Sequence, residues 1–223
     1  MHVLAVASQK GGPGKTTLAA HLAVQAEMSG AGPVALVDTD PQASLSEWWN
    51  VREAEAPVFV RTTVDRLPED IRRMMAFGIK LLVIDTPPAI TQTIENVICV
   101  SDLVVIPARP SPHDLRAASA TVDIVERVGR PMVFVINGAS QRARITSEAV
   151  FALSQHGTLA PAIVNQRTDF AASMIDGRTV MEIDGTSKAA EEVSLLWDYL
   201  RGRLAKLPSH GQDGSGERRQ EIA

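Results

Sequence analysis

Residues 10–17 read Lys10-Gly11-Gly12-Pro13-Gly14-Lys15-Thr16-Thr17, set between the apolar run Val3-Leu4-Ala5-Val6-Ala7 and a helical pattern from Leu18 to Met28. A strand, a glycine turn and a helix in that order make a phosphate cradle. Glycines without a Cβ let successive N–H groups converge on one anion, and the helix N-terminus adds unpaired donors and a partial positive charge at the same point. A lysine ammonium ~4 Å from a phosphate charge gains ~4 kcal/mol at an effective dielectric of 20, whereas the dipole contributes ~0.3–1 kcal/mol. Lys15 is therefore expected to dominate phosphate affinity. Thr16 carries the hydroxyl that such a loop places on Mg²⁺.

The strict pattern G-x-x-x-x-G-K-[ST] fails, because its first glycine would fall at Gln9. A second lysine, Lys10, marks the deviant form K-G-G-x-G-K-[ST]. Three glycines at ~7% usage coincide at about one position in 3,000, so with two lysines and a hydroxyl added an ordinary glycine turn is a poor account.

Three further apolar runs end in residues fit for this chemistry. Val34-Ala35-Leu36-Val37 leads into Asp38-Thr39-Asp40-Pro41-Gln42, two carboxylates at a strand's carboxyl end, where open α/β sheets bind ligands. Pro41 disfavours helical geometry at Asp40, so Asp40 is assigned to chemistry and neither acid to helix capping. Leu81-Leu82-Val83-Ile84 closes on Asp85; with the cradle upstream, an acid there is placed to help hold the magnesium bridging β- and γ-phosphates. Met132-Val133-Phe134-Val135-Ile136 ends at Asn137-Gly138, and Asn137 is either a turn residue or a nucleotide-base contact. Leu103 to Ile106 is one more strand, before Arg109-Pro110-Ser111-Pro112 and a helix from His113 to Val128.

Strands alternating with helices predict an α/β fold, a mostly parallel twisted sheet with helices on both faces. The chain of 223 residues is 45% hydrophobic, enough for one well-buried domain. We expect that domain over 1–207, closed by a helix from about Ser187 to Lys206, and a disordered polar tail over 208–223. Helices are also expected over Ser44–Asn50, Pro68–Phe77 and Ser147–Gln155, an edge strand at Pro57–Arg61, a short strand through Ile163, and packing roles for Trp48 and Trp49. The first strand begins almost at the N-terminus, leaving no room for a signal peptide, and no apolar stretch approaches a membrane span. The one cysteine, Cys99, lies in the run Val97-Ile98-Cys99-Val100 and is expected to be a reduced core thiol of a cytosolic protein. A net charge of −4 excludes a constitutively basic nucleic-acid module, so DNA binding would need a local patch. Arg142, Arg144, Arg167 and Arg178, in the loop-rich C-terminal third, are candidates for one.

The stretches Ser8 to Thr17 (SQKGGPGKTT), Val37 to Leu45 (VDTDPQASL), Leu82 to Pro88 (LVIDTPP) and Ile106 to Leu115 (IPARPSPHDL) resemble the ParA family of partition ATPases, in the group that includes MinD and the nitrogenase iron protein. A weaker likeness runs from Ser173 to Glu192. The chain looks like the short ParA type without an N-terminal DNA-binding domain. The resemblance implies ATP and Mg²⁺ as cofactors and a P-loop ATPase in which residues 10–17 and Asn137 bind nucleotide. It also implies catalytic roles for Lys10, Lys15 and Asp40, and metal contacts from Thr16, Asp40 and Asp85. Two monomers would close over two nucleotides, Lys10 reaching the other subunit's phosphates. The homodimer would bind DNA without sequence preference, and a ParB-like partner or cargo adaptor would stimulate hydrolysis and release it, the cargo being plasmid, chromosome or protein cluster. The protein is then cytoplasmic and nucleoid-associated when ATP-bound, with no stable membrane association. A single cysteine disfavours an iron–sulfur protein, a polar C-terminus disfavours a MinD-like membrane cycle, and a metabolic ligase of the same fold ranks lowest.

Overall fold

The apolar runs form one seven-stranded sheet in the order β3-β2-β4-β1-β5-β6-β7, every pairing parallel. A computed structural model describes residues 1–88, 91–140 and 143–210. The strands are β1 (His2–Val6), β2 (Val34–Asp38), β3 (Val58–Phe59), β4 (Leu81–Asp85), β5 (Leu103–Ala108), β6 (Met132–Ala139) and β7 (Val164–Asn165). The helices are α1 (Lys15–Met28), α2 (Ser44–Asn50), α3 (Leu67–Ala76), α4 (Thr91–Val100), α5 (Pro112–Val128), α6 (Arg144–Ser154), α7 (Thr168–Ser173), α8 (Val180–Ile183) and α9 (Lys188–Leu204).

Strands buried on both faces read as continuous apolar runs, and alternate residues divide between two sides. Leu4 and Val6 join α1, α2, α8 and α9 in one core. Val3 and Ala5 join α3 and α4 in another, which continues across the sheet under α5 and α6. After β1 the chain moves to one side of the sheet, returns to pair β4 with β1, and then crosses to β5. The order therefore reverses at β1, whose carboxyl end carries the glycine loop, the ligand position expected of an open α/β sheet.

Several expectations are corrected. Cys99 is exposed: Ile94, Val97 and Ile98 form the buried stripe of α4, a helix not anticipated, and Cys99 falls one position off that stripe. Arg144 opens α6 instead of lying in a loop, and the short strand expected through Ile163 is Val164–Asn165. Within the tail expected over 208–223, the His210 N–H donates to the Met1 carbonyl at 2.9 Å, and residues 211–223 lie outside the described residues. Trp48 and Trp49 do pack, each indole N–H donating to a backbone carbonyl, of Arg178 and Pro57 respectively. No helix among the described residues is long and apolar enough to cross a membrane.

Candidate nucleotide site

The loop between β1 and α1 needs two left-handed glycines, Gly12 at φ 85° and Gly14 at φ 89°, a region that costs a residue with a Cβ ~1–2 kcal/mol. Gly14 is doubly constrained, because a Cβ there would strike Asn137 Nδ2. That amide instead donates to the Pro13 carbonyl at 2.6 Å. Asn137 thus braces the cradle from the end of β6, a role beyond the two considered for it. Lys15 is 6% exposed, and its ammonium donates to the Lys10 carbonyl at 3.2 Å, curling over the loop where an anion would lie. Burial lowers its pKa, opposed by the charges of Asp85 and Asp40.

Asp85 ends β4 fully buried. Its Oδ2 accepts the Thr16 hydroxyl at 2.6 Å, while its Oδ1 has no hydrogen-bond partner among the described residues. Burial pushes its pKa up to about 7, further raised by Asp38 and Asp40 and drawn back by Thr16 and Lys15. A buried carboxylate with an orphan oxygen beside a hydroxyl fits Mg²⁺, which takes one or two protein ligands and completes its shell with phosphate and water. Among the described residues no group of three or more His, Cys, Asp or Glu side chains could hold a metal alone, so any cation here would rely on the nucleotide.

The Asp38–Gln42 turn is tied to the same strand: the Thr39 N–H and hydroxyl both donate to the Asp85 carbonyl, at 3.0 and 2.7 Å. Asp38 does cap a helix, contrary to expectation. Its Oδ2 accepts the Ser46 N–H at 2.9 Å and the Ser46 hydroxyl at 3.1 Å, satisfying an orphan donor of α2's first turn. A serine three positions into the helix was the available signal. Among the described residues the Asp40 carboxylate accepts only the Gln42 N–H, at 2.9 Å, and its charge reaches Lys15.

Residues 4–180 match the nucleotide-binding domain of the CobQ/CobB/MinD/ParA family. The chain belongs to this family. Over 203 residues it is 29% identical to the maintenance of carboxysome distribution protein A of Halothiobacillus neapolitanus, covering 86% of this chain and 93% of that one. It is 26% identical over 184 residues to protein ParA of Rhizobium radiobacter, covering 77% and 82%. The fold superposes on the MinD cell division protein of Aquifex aeolicus with a TM-score of 0.76 at 16% identity, over 91% of this chain and 98% of that one. The chain is thus a ParA-type partition ATPase by family, on a P-loop fold.

At the rim of this ParA-family site the second lysine is held within its own chain. Lys10 Nζ lies 2.8 Å from Asp114 Oδ2, and Asp114 is in turn fixed by Ser111, whose hydroxyl donates to Oδ2 and accepts the Asp114 N–H at 3.1 Å. Sequence reasoning missed Asp114, although Ser111-x-x-Asp114 before an apolar helix is a capping signature.

Among the described residues, Arg144 and Arg178 do not share a patch. Arg144 pairs with Glu148 at 3.0 Å, Arg178 with Asp176 at 2.6 Å, and Arg167 with Glu192 at 2.6 Å. Arg142 lies outside the described residues. Arg178 packs beside α2, its carbonyl accepting the Trp48 indole N–H, toward the β2 edge, whereas Arg144 follows β6. Those strands are four positions apart in the sheet, roughly 19 Å at ~4.8 Å per strand. Arg167, its side chain only 16% exposed, faces inward.

Proposed function

We propose that this chain is an ATP-dependent positioning ATPase that closes as a homodimer over Mg-ATP and distributes a protein cargo along DNA, as a cytoplasmic protein that is nucleoid-associated while ATP-bound. The observation that carries the reading is the unequal pair of lysines: Lys15 buried over the cradle and Lys10 at the rim, held by one acid. In the closed dimer Lys15 would exchange the Lys10 carbonyl for β- and γ-phosphate oxygens. Lys10 would leave Asp114 for the partner's phosphates, so closure would depend on a triphosphate because a cation in trans adds charge-assisted bonds only then. Thr16 and ionised Asp85 would hold the Mg²⁺, which when bound neutralises charge across the phosphates. Asp40, with an acceptor to spare and its charge felt at Lys15 and Asp85, would orient the attacking water and assist in holding the metal.

Protein cargo is favoured by the similarity, over most of both chains, to a carboxysome distribution protein. Similarity to a protein named ParA supports the second reading, segregation of plasmid or chromosome DNA. Either cargo calls for an adaptor or ParB-like partner that stimulates hydrolysis.

The test is light scattering and turnover with ATP, ADP and a non-hydrolysable analogue, with and without unrelated DNA duplexes. We expect ATP-dependent dimers that bind DNA, and an Asp40→Ala protein that dimerises and binds DNA but hydrolyses slowly. Equal behaviour with ADP, or near-normal turnover of Asp40→Ala, would sink the corresponding step.

A further inference from the structure

A groove of about 520 Å³ lies between the second half of α1 and the α8–α9 segment, lined by Met28 and Ser29 at the end of α1, Met181 from α8, and Ala190, Glu191 and Leu195 from α9. Its walls are tied together: Gln25 Nε2 donates to the Ser194 hydroxyl at 3.4 Å, and the Trp197 indole N–H to the Ser29 hydroxyl at 2.8 Å. A groove held in this way exists before anything enters it. Two of its apolar side chains face water, Met28 at 58% exposure and Leu195 at 55%. Single exposed apolar residues are ordinary on a protein surface, but methionines and a leucine gathered along a preformed groove make an adaptable surface for an apolar partner segment.

The charge at the groove has one sign. Among the described residues the one charged side chain lining it is Glu191, which is exposed and forms no ion pair with a described cation. Thr186, also in the lining, donates its N–H and hydroxyl to Asp184 Oδ1 at 2.9 and 2.6 Å, bonds that hold the Asp184 carboxyl below its usual pKa. Two negative charges beside apolar side chains select a segment that carries lysine or arginine next to aliphatic residues, and disfavour an acidic one. The groove lies at the far end of α1 from Lys15, about 20 Å away at ~1.5 Å per residue, so its occupant does not compete with nucleotide. It is nonetheless connected to the cradle: Met181 follows Val180, whose N–H donates to His21 Nε2 at 3.2 Å, and His21 Nδ1 faces the Thr17 carbonyl at 2.8 Å in the first turn of α1.

Resting on the adaptor called for above, we propose that this groove docks a basic amphipathic segment of that partner protein, its aliphatic side chains on Met28, Met181 and Leu195 and its lysine or arginine on Glu191. Docked there, the partner bears on α8 behind the phosphate loop and leaves the nucleotide face free to close.

The probe is a displayed library of peptides of about 16 residues, long enough for about four helical turns, selected on the full nucleotide-free chain and counter-selected on Leu195→Glu. Selected peptides should combine lysine or arginine with aliphatic residues. Measured singly by fluorescence anisotropy, they should bind Leu195→Glu at least about tenfold more weakly than the wild type. Glu191→Lys should lose about threefold or more, and exchanging the peptide's cation for glutamate should restore it, which separates a direct charge contact from a damaged fold. Recovery of no peptide, of acidic peptides, or of peptides that bind both variants as tightly as the wild type overturns the proposal. Alkylation of Leu195→Cys in a Cys99→Ser background reports the other occupants: we expect fast labelling at every protein concentration, slowed by the peptide. Slow labelling that speeds up on dilution would assign the groove to a second copy, and slow labelling at every dilution to another part of this chain. Because binding is read without nucleotide, absence of ATP turnover would remove the ATPase reading and leave the groove standing.

Discussion

Lys15 and Lys10 leave the same loop, yet the interior and the rim treat charge in opposite ways. Inside, Lys15 is desolvated, Asp85 is pushed toward neutrality with one oxygen unpaired, and His21 is fully buried with its pKa down to about 4. At the rim, Lys10, Arg144 and Arg178 each sit on an acid of their own chain. Interior groups gain from a ligand that supplies what they lack, so their removal should be costly. Rim groups must break a pair before serving a partner; for the exposed arginine pairs that exchange costs little, so the effect of losing those arginines should be small and salt-dependent.

The largest effect is expected from Lys15→Ala. Removing a buried cation that would face phosphate forfeits ~4 kcal/mol, on the order of 10³-fold in ATP affinity. Near-native affinity by calorimetry would break the comparison at its interior end.

His21 sharpens it through pH. Its Nδ1 faces the Thr17 carbonyl at 2.8 Å and its Nε2 accepts the Val180 N–H at 3.2 Å, joining α1 to α8 next to the cradle. The ring is neutral with its proton on Nδ1, and a second proton on Nε2 would set one N–H donor against another, that of Val180. Burial lowers the folded pKa from 6.5 to about 4, so the stability His21 contributes is whole above pH 6.5 and is lost as pH falls toward 4. Between pH 6.5 and 5 this amounts to roughly 1.5 kcal/mol. Denaturant titrations across that window should show His21→Gln, whatever its absolute stability, with the shallower pH dependence; parallel slopes would assign the acid sensitivity elsewhere.

The intermediate case is Lys10. Its pair with Asp114 leaves the lysine side chain 36% exposed but the carboxylate only 7% exposed, so releasing the lysine leaves a largely buried charge and should cost more than the ~1 kcal/mol of a surface pair. Asp114→Asn should accordingly tighten ATP-dependent dimerisation by about tenfold or more, while Lys10→Ala should bind nucleotide as a monomer and fail to dimerise. Light scattering across a protein dilution series separates the two, and a normal Lys10→Ala dimer would make the lysine structural.

What was legible in the sequence follows the same division. The cradle, the strand-ending acids and the alternation of strands and helices are written in local patterns, because backbone conformation and burial on both sheet faces constrain adjacent residues. The partners of the charged groups were not legible. Lys10 meets Asp114 and Arg167 meets Glu192 across long sequence separations, and no spacing rule reports a contact that only the sheet order creates. Cys99 misled for a different reason: an apolar run of four residues fits strand or helix alike, and only the helix puts its third member outside.

The smallest effect belongs to the arginines and is where the rim half of the comparison is most exposed to test. Arg144 is 92% exposed with Glu148 at 59%, and Arg178 is 52% exposed with Asp176 at 50%, so alanine at either should change stability by less than ~0.5 kcal/mol. If both contact DNA phosphates in the ATP dimer, each replacement should reduce the dependence of log affinity on log salt by ~0.9 per phosphate lost. Their placement near different strands makes the two losses additive, since distant sites do not couple. Arg167→Ala should leave the slope unchanged, because its guanidinium is spent on Glu192. Titrating the hydrolysis-slow Asp40→Ala protein with ATP on unrelated duplexes, over a salt series, reads all three. A slope that moves only with Arg167 would mean that its clamp on Glu192 opens on closure and that this inward-facing pair, not the exposed rim pairs, meets the DNA.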